Sequence, residues 1–399
     1  MRANLSRREK ALALYRDRGF TLVEVLVGMA LSLLSMLIIL QLFSNSDARK
    51  RMTSGAAEAQ QTANVSLYQL GRTIRLAGAG LAQAGNVWGC PIQASRGGSQ
   101  ILPATAAFPA PFADSSISLT VRALPFLIYP GKAPDGQSDI IVVMAGNSET
   151  GQAELHMVGP PTAAGLTLQR SNGVKARDLI LMTVPSTISN CQIAQVDTTF
   201  NASTAPNTLP LGSTGTNYNT ATGLSGGAYN LGSVALHLGA NPIFAMFGIL
   251  DTNNTLVQYD LLNLSGTATT VLADSVFDLR ARYGVVAADG TGPLTWQAAN
   301  ASPWQVSDLM AGTAASLALV DRIRAVRISL VFRSAEPVAD TSPPTTYVMF
   351  PDASPITVSI PTANQLYRYQ VYESVIPLRN LRFVPPACSP STAALPRCS

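Results

Sequence analysis

Histidine is almost missing from this 399-residue chain, which holds only His156 and His237. Neither sits in a recognisable metal motif, and a lone histidine in a strand is more often packed or solvated than catalytic. A G-x-S-x-G nucleophile elbow is absent, and Gly131-Lys132 lacks both the upstream glycine and the following Ser or Thr of a phosphate loop. Cysteine is limited to Cys90, Cys191, Cys388 and Cys398, with no CxxC and no histidine nearby to complete a zinc site. These gaps leave no constellation for catalysis. No catalytic residue, metal or cofactor is expected, and the chain does not read as an enzyme.

Charge of either sign is also scarce, at 13% of residues against 47% apolar, so a chain of this length can bury a large core. The formal charge of +4 is misleading, because it is concentrated at one end. Residues 1–19 hold six basic side chains (Arg2, Arg7, Arg8, Lys10, Arg16, Arg18) against Glu9 and Asp17. Of 27 basic residues 21 remain beyond that leader, and of 23 acidic residues 21 remain, so the rest is neutral. It has no overall basic field to attract nucleic acid.

What is present begins directly after the leader. Residues 20–43 form a run of 24 in which Glu24 is the only formal charge. As a helix the run reaches roughly 36 Å, enough to cross a hydrocarbon core of about 30 Å. A carboxylate within such a helix costs about 2.5 to 3.5 kcal/mol at the bilayer centre, so chance explains it poorly. The basic leader favours a cytoplasmic N-terminus, although Arg49, Lys50 and Arg51 beyond the run weaken the asymmetry.

Arg18, Gly19, Phe20, Thr21, Leu22 and Glu24, followed by the apolar run, resemble the N-terminal signature of the type IV prepilin family. The resemblance implies cleavage between Gly19 and Phe20 by a prepilin peptidase, N-methylation of Phe20, and packing of the exposed helix into a pilus-like filament. It also implies that Glu24 pairs with the Phe20 ammonium of a neighbouring subunit, and a buried charge does become tolerable when an opposite one meets it. One departure is that many major pilins carry a helix-kinking proline near the end of the run. Here Gln41 stands there and no proline precedes Pro91. Two other readings fit less well. A secretory signal cut near Ser44-Asn-Ser46 would need a shorter apolar core, and an uncleaved anchor leaves the motif unexplained.

In an oxidising compartment the four cysteines are expected to pair. Three connectivities are possible. The short C-terminal spacing favours Cys388 with Cys398, leaving Cys90 with Cys191 to staple the end of the helix to the β-rich region; free buried thiols are the alternative.

Residues 44–77 stay helix-compatible but turn polar, and Leu67, Leu70, Ile74 and Ala77 fall on one face before Gly78-Ala-Gly80. By the resemblance, 44–85 is the second half of a pilin stem. From 86 onward, Pro, Gly, Ser and Thr punctuate short apolar runs, the pattern of a β-rich head, one sheet system or two lobes. Strands are expected at 139–145, 166–170, 178–184, 191–196, 234–238, 243–250, 279–286, 323–332, 347–350 and 366–375. The fold class is therefore α+β, a long N-terminal helix followed by a large β-rich head over 86–399. Two low-complexity stretches interrupt it, 101–112 and 203–232, and the second is long enough to be a display loop or a tolerated insertion.

Several stretches extend the resemblance towards the large minor pilins of the PilW type: Asp178-Leu-Ile-Leu-Met-Thr-Val184, Cys191-Gln-Ile-Ala-Gln-Val196, Asp278-Leu-Arg-Ala-Arg-Tyr-Gly284, Val326-Arg-Ile-Ser-Leu-Val-Phe-Arg-Ser334 and Val375-Ile-Pro-Leu-Arg-Asn380. The implied role is pilus assembly, in a priming or tip complex that supports motility, adhesion or DNA uptake. The implied partners are other minor and major pilins, the prepilin peptidase, an inner-membrane assembly platform and membrane lipid. The implied location is the bacterial inner membrane, single-pass with a periplasmic head. A minor pseudopilin of a type II secretion system and a pilus-tip adhesin are the alternatives. Asp251-Thr-Asn253-Asn254 could surround calcium but reads as a turn. Tyr367-Arg368-Tyr369 and Arg280-Ala-Arg282-Tyr283 could contact single-stranded DNA, yet cross-strand packing explains them, and direct DNA binding is not expected.

Overall fold

Good helix formers and the absence of proline carry one helix from Leu22 to Arg75, 54 residues in all. In the computed structural model, residues 21–82, 87–133, 135–148, 154–162, 165–171, 173–184, 191–211, 218–219, 229–264, 269–334, 337 and 344–381 are described. Gly19, Phe20, Cys388, Cys398 and half of the 203–232 stretch, residues 212–217 and 220–228, lie outside them. The chain divides into two compact units, Met1–Ala56 and Ala57–Ser399, and the helix contributes to both.

From Leu22 to Phe43 the helix is apolar on every side, and its large hydrophobic side chains there are 44% to 77% exposed. In the second unit the pattern becomes one-sided. Ala63, Leu70, Ile74 and Ala77 are fully buried and Leu67 half-buried, as the spacing predicts. The helix stops where Gly78 and Gly80 take φ of +81° and +68°. A Cβ at Gly78 would stand 3.0 Å from the Asn380 carbonyl oxygen, so glycine serves both the left-handed turn and the close approach.

Three sheets make up most of the head. The first has the order Ser99–Leu102, Ile92–Arg96, Cys191–Gln195, Leu179–Thr183, Val234–Gly239, Leu155–His156, with one parallel pair, between Ile92–Arg96 and Cys191–Gln195. The second is antiparallel: Thr269–Ala273, Thr255–Asp260, Ile243–Leu250, Ile140–Ala145, Phe126–Tyr129. The third is also antiparallel: Thr295–Gln297, Val276–Val285, Ile323–Arg333, Tyr369–Pro377. All three and the helix end feed one hydrophobic core, so the choice between one sheet system and two lobes resolves to a single body.

Sheets covered on both sides explain why several strands read as unbroken apolar runs. Leu179 and Leu181 enter the large core, while the alternate Ile180 and Met182 enter a second cluster with Leu166, Leu168 and Phe200. In the third sheet Val326, Ile328 and Leu330 face the large core. Val331 turns the other way, under a hairpin formed by Thr346–Met349 and Ile356–Ser359, against Tyr347, Met349 and Phe350.

Every expected strand has a counterpart, but 166–170 shrinks to Leu166–Thr167 and 366–375 moves to Tyr369–Pro377. Ile92–Arg96, Ser99–Leu102, Phe126–Tyr129, Thr255–Asp260 and Thr269–Ala273 are additional to those expected, as are the shorter Leu155–His156, Thr208–Leu209, Thr295–Gln297 and Ile356–Ser359. The Pro/Ala-rich 101–112 stretch is anchored rather than loose: Phe108 and Phe112 are buried with their rings 5.8 and 5.9 Å from that of Tyr259.

Candidate functional site

Thr21 and Glu24 open the helix. The Glu24 amide donates to Thr21 Oγ1 at 3.3 Å and to the Thr21 carbonyl at 3.0 Å, so Thr21 caps the helix and Glu24 occupies its third position. Thr-x-x-Glu is a start signal in its own right, and it is readable in the sequence alongside the prepilin motif. Further along, Ser32 Oγ donates to the Met29 carbonyl at 2.8 Å and Ser35 Oγ to that of Leu31 at 2.9 Å. Their hydroxyls are thus satisfied inside the helix, as an apolar environment demands. The 23 residues Leu22–Ser44 have a mean hydropathy of 2.5 and are wholly unburied by the protein itself. Such a surface is stable only against lipid or other apolar helices.

The head holds its sheets in place with buried ions. The Asp139 amide donates to the Leu279 carbonyl at 2.8 Å, while its carboxylate accepts the amides of Ala281 at 2.9 Å and Gly131 at 3.0 Å. Arg280 Nη1 stands 3.7 Å from the same carboxylate, and its Nε is 3.0 Å from Asp278. Asp278 also accepts hydrogen bonds from Ser138 Oγ at 2.9 Å and from Tyr347 Oη at 2.8 Å. One cluster therefore joins the second sheet, the third sheet and the hairpin. Burial pushes the Asp139 carboxyl up to about 7, against the pull of Arg280 and the two amides. Asp278 is raised for the same reason, with Arg280 again opposing. Tyr347 is raised by burial and by the adjoining Asp278 charge.

On the face under the hairpin, Arg282 and Arg327 stand directly opposite each other on adjacent strands. Phe350 lies over both, 4.9 Å from one guanidinium and 5.4 Å from the other. Arg327 binds Glu373 at 2.5 Å and Asp352 at 2.6 Å, whereas Arg282 donates to the Ser354 carbonyl at 2.6 Å. Burial and then the Arg327 charge lower the pKa of Arg282. The side chains of Arg280, Arg282 and Tyr283 thus work inside the head, where they cannot stack on a nucleic acid. Tyr369 stacks on Tyr347 at 5.9 Å, and Arg333 covers the Tyr367 ring at 4.3 Å.

Cys90 and Cys191 form a disulfide, with Cα atoms 5.8 Å apart and a sequence separation of 101. The bond links the segment after the helix to the parallel strand pair of the first sheet. His156 is on that sheet's edge, 3.6 Å from Glu154, with a side chain 47% exposed. His237 is interior: Nε2 meets Asp178 Oδ2 at 2.7 Å and Nδ1 meets Ser148 Oγ at 2.8 Å. A catalytic relay needs its serine aimed at a substrate. Here the imidazole and carboxylate are buried, and the bonds tie the loop at 146–148 and the turn at 175–178 to the strand Val234–Gly239. Asp251 to Asn254 form the turn between Ile243–Leu250 and Thr255–Asp260, where Asn254 takes φ of +49°.

An all-round apolar helix with one early carboxylate thus precedes a disulfide-linked β-rich body. The chain matches the family model for type IV pilus-assembly protein W over residues 250–380 and the prokaryotic N-terminal methylation motif over residues 14–40. Over these two stretches the chain is similar to PilW-type prepilins of type IV pilus systems. Both are families of pilus structural and assembly proteins rather than enzymes. The first covers the whole third sheet, the hairpin and their buried ion network except Asp139, Gly131 and Ser138. No curated protein and no solved structure matches the chain.

Proposed function

We propose that the protein primes or caps a type IV pilus as a low-copy subunit, and so supports motility, adhesion or DNA uptake. In this reading residues 1–19 are a leader removed after Gly19, Phe20 is N-methylated, and 20–43 sits first in the inner membrane and then in the filament. Residues 44–85 complete the stem, and 86–399 form a periplasmic head whose disulfide suits an oxidising compartment. The observation that carries it is the 23-residue span left entirely uncovered by its own chain, with Glu24 at its third helical position. In water that surface would be a liability, and against other pilin helices it becomes the interface. Glu24 would then neutralise an incoming N-terminal ammonium. A head of 314 residues (399 less 85) would crowd a repeating lattice, which suits a single position at the start or tip.

The test is a deletion strain complemented with wild type or Glu24→Ala. The reading expects lost surface pili, restored by the wild type and not by the variant. Normal piliation with a defect in protein secretion would instead assign the chain to a type II secretion system.

A further inference from the structure

The strand Tyr369–Pro377 closes one side of the third sheet and has a single neighbour, Ile323–Arg333. Leu378 N–H donates to the Arg324 carbonyl at 2.8 Å and Ser334 N–H to that of Arg368 at 2.9 Å, which fixes the alternation between these brackets. Residues 370, 372, 374 and 376 spend their amides and carbonyls on the inner strand. Those of Tyr369, Val371, Glu373 and Val375 point outward, and among the described residues nothing binds them. The other free edge of this sheet, Thr295–Gln297, is only 3 residues long, whereas this one has 9.

Long open edges are normally guarded by lysine, proline, a bulge or an outward charge. This one has no lysine, no proline before Pro377 and no break in register. Its one charge, Glu373, is drawn inward by Arg327 Nε at 3.0 Å and by the Phe350 amide at 2.5 Å. Val375 is 50% exposed beside the open groups.

We propose that this edge receives an extended strand from a different pilin subunit by β-strand addition. Four outward amide–carbonyl pairs in a row specify an extended backbone, which a helix cannot supply. The incoming segment needs at least about four residues, no proline at the pairing positions and an apolar or aromatic side chain beside Val375. A second copy of this chain fits less well, since self-pairing sets Glu373 against Val371 or against its own counterpart. The inference rests on the assembly reading and names one of its contacts.

The test compares amide hydrogen exchange, resolved by residue, in the full chain alone in detergent and in complexes reconstituted with the other purified minor and major pilins. A photo-reactive residue at position 375 reports the neighbour. The expected result is fast exchange at Val371, Glu373 and Val375 in the isolated chain, protection of those three in the complex, and a cross-link to an extended segment of another pilin. Val375→Pro deletes one outward amide and should weaken co-purification roughly fivefold, the share of one hydrogen bond of about 1 kcal/mol, with processing intact. Val375→Lys, which leaves the backbone alone, should act in the same direction. Protection already present in the isolated chain, a cross-link to residues 382–399 or to a second copy, or fast exchange persisting in the complex would each overturn it. A chain that enters no pilin complex would overturn the assembly reading as well.

Discussion

Asp139 accepts the Ala281 amide at 2.9 Å, which fastens the start of one sheet to the middle strand of another across 142 residues of sequence. The bond is made by a carboxyl that burial holds at about 7, far above its ordinary 3.8. Below about pH 4 the folded and unfolded chains both keep the proton and the contribution is whole. Between about 4 and 7 the unfolded chain ionises first, so stability falls as pH rises. Asp278 acts in the same direction.

Arg280 limits that loss by facing both carboxylates. Arg280→Met should therefore cost about 3 to 5 kcal/mol near pH 7.5, the penalty for breaking a buried pair, and much less near pH 5. Thermal unfolding of the solubilised chain at the two pH values checks this. An equal loss at both would contradict it.

Tyr283 receives the Ile128 amide at 2.8 Å with no exposure to solvent. Tyr283→Phe keeps the ring against Phe126 but strands that amide, so it should cost about 1 to 3 kcal/mol in urea unfolding. Tyr372→Phe, on the half-buried face of the edge strand, is the control and should cost less.

Removing both partners of the disulfide, Cys90→Ala with Cys191→Ala, frees a loop closed across a sequence separation of 101. The chain-entropy account gives a loss of about 4 to 5 kcal/mol, again read by urea unfolding. Treatment of the wild type with reductant should reproduce it.

Glu24→Ala should leave unfolding of the head unchanged within about 0.5 kcal/mol, because nothing in the head depends on it. Its effect belongs to assembly, seen as loss of the chain from co-purified pilin complexes. A destabilised head would contradict the division between anchor and body.

Local signals are the legible ones. The Arg18 to Glu24 motif, the buried stripe of Leu70, Ile74 and Ala77, and doubly covered strands such as Leu179–Thr183 each announce themselves within a few residues. Ser99–Leu102 escapes the strand pattern although Gly97-Gly98 marks its hairpin turn, and Thr255–Asp260 does so although Asn253-Asn254 precede it. The Pro and Ala content of 101–112 suggests a loose stretch, whereas Phe108 and Phe112 decide its fate. The Asp139–Arg280–Asp278 cluster and the Ser148–His237–Asp178 bonds are invisible in the sequence for a different reason. Their members are far apart along the chain, and only the sheet registers bring them together.

The most direct test of the central claim is the intact mass of the membrane-extracted chain from strains with and without prepilin peptidase. The account predicts a chain beginning at Phe20 with one added methyl in the first and one beginning at Met1 in the second. A mass beginning at Met1 in both would leave only an uncleaved anchor, and one beginning near Asp47 would make the chain a secreted β protein; either contradicts the prepilin reading.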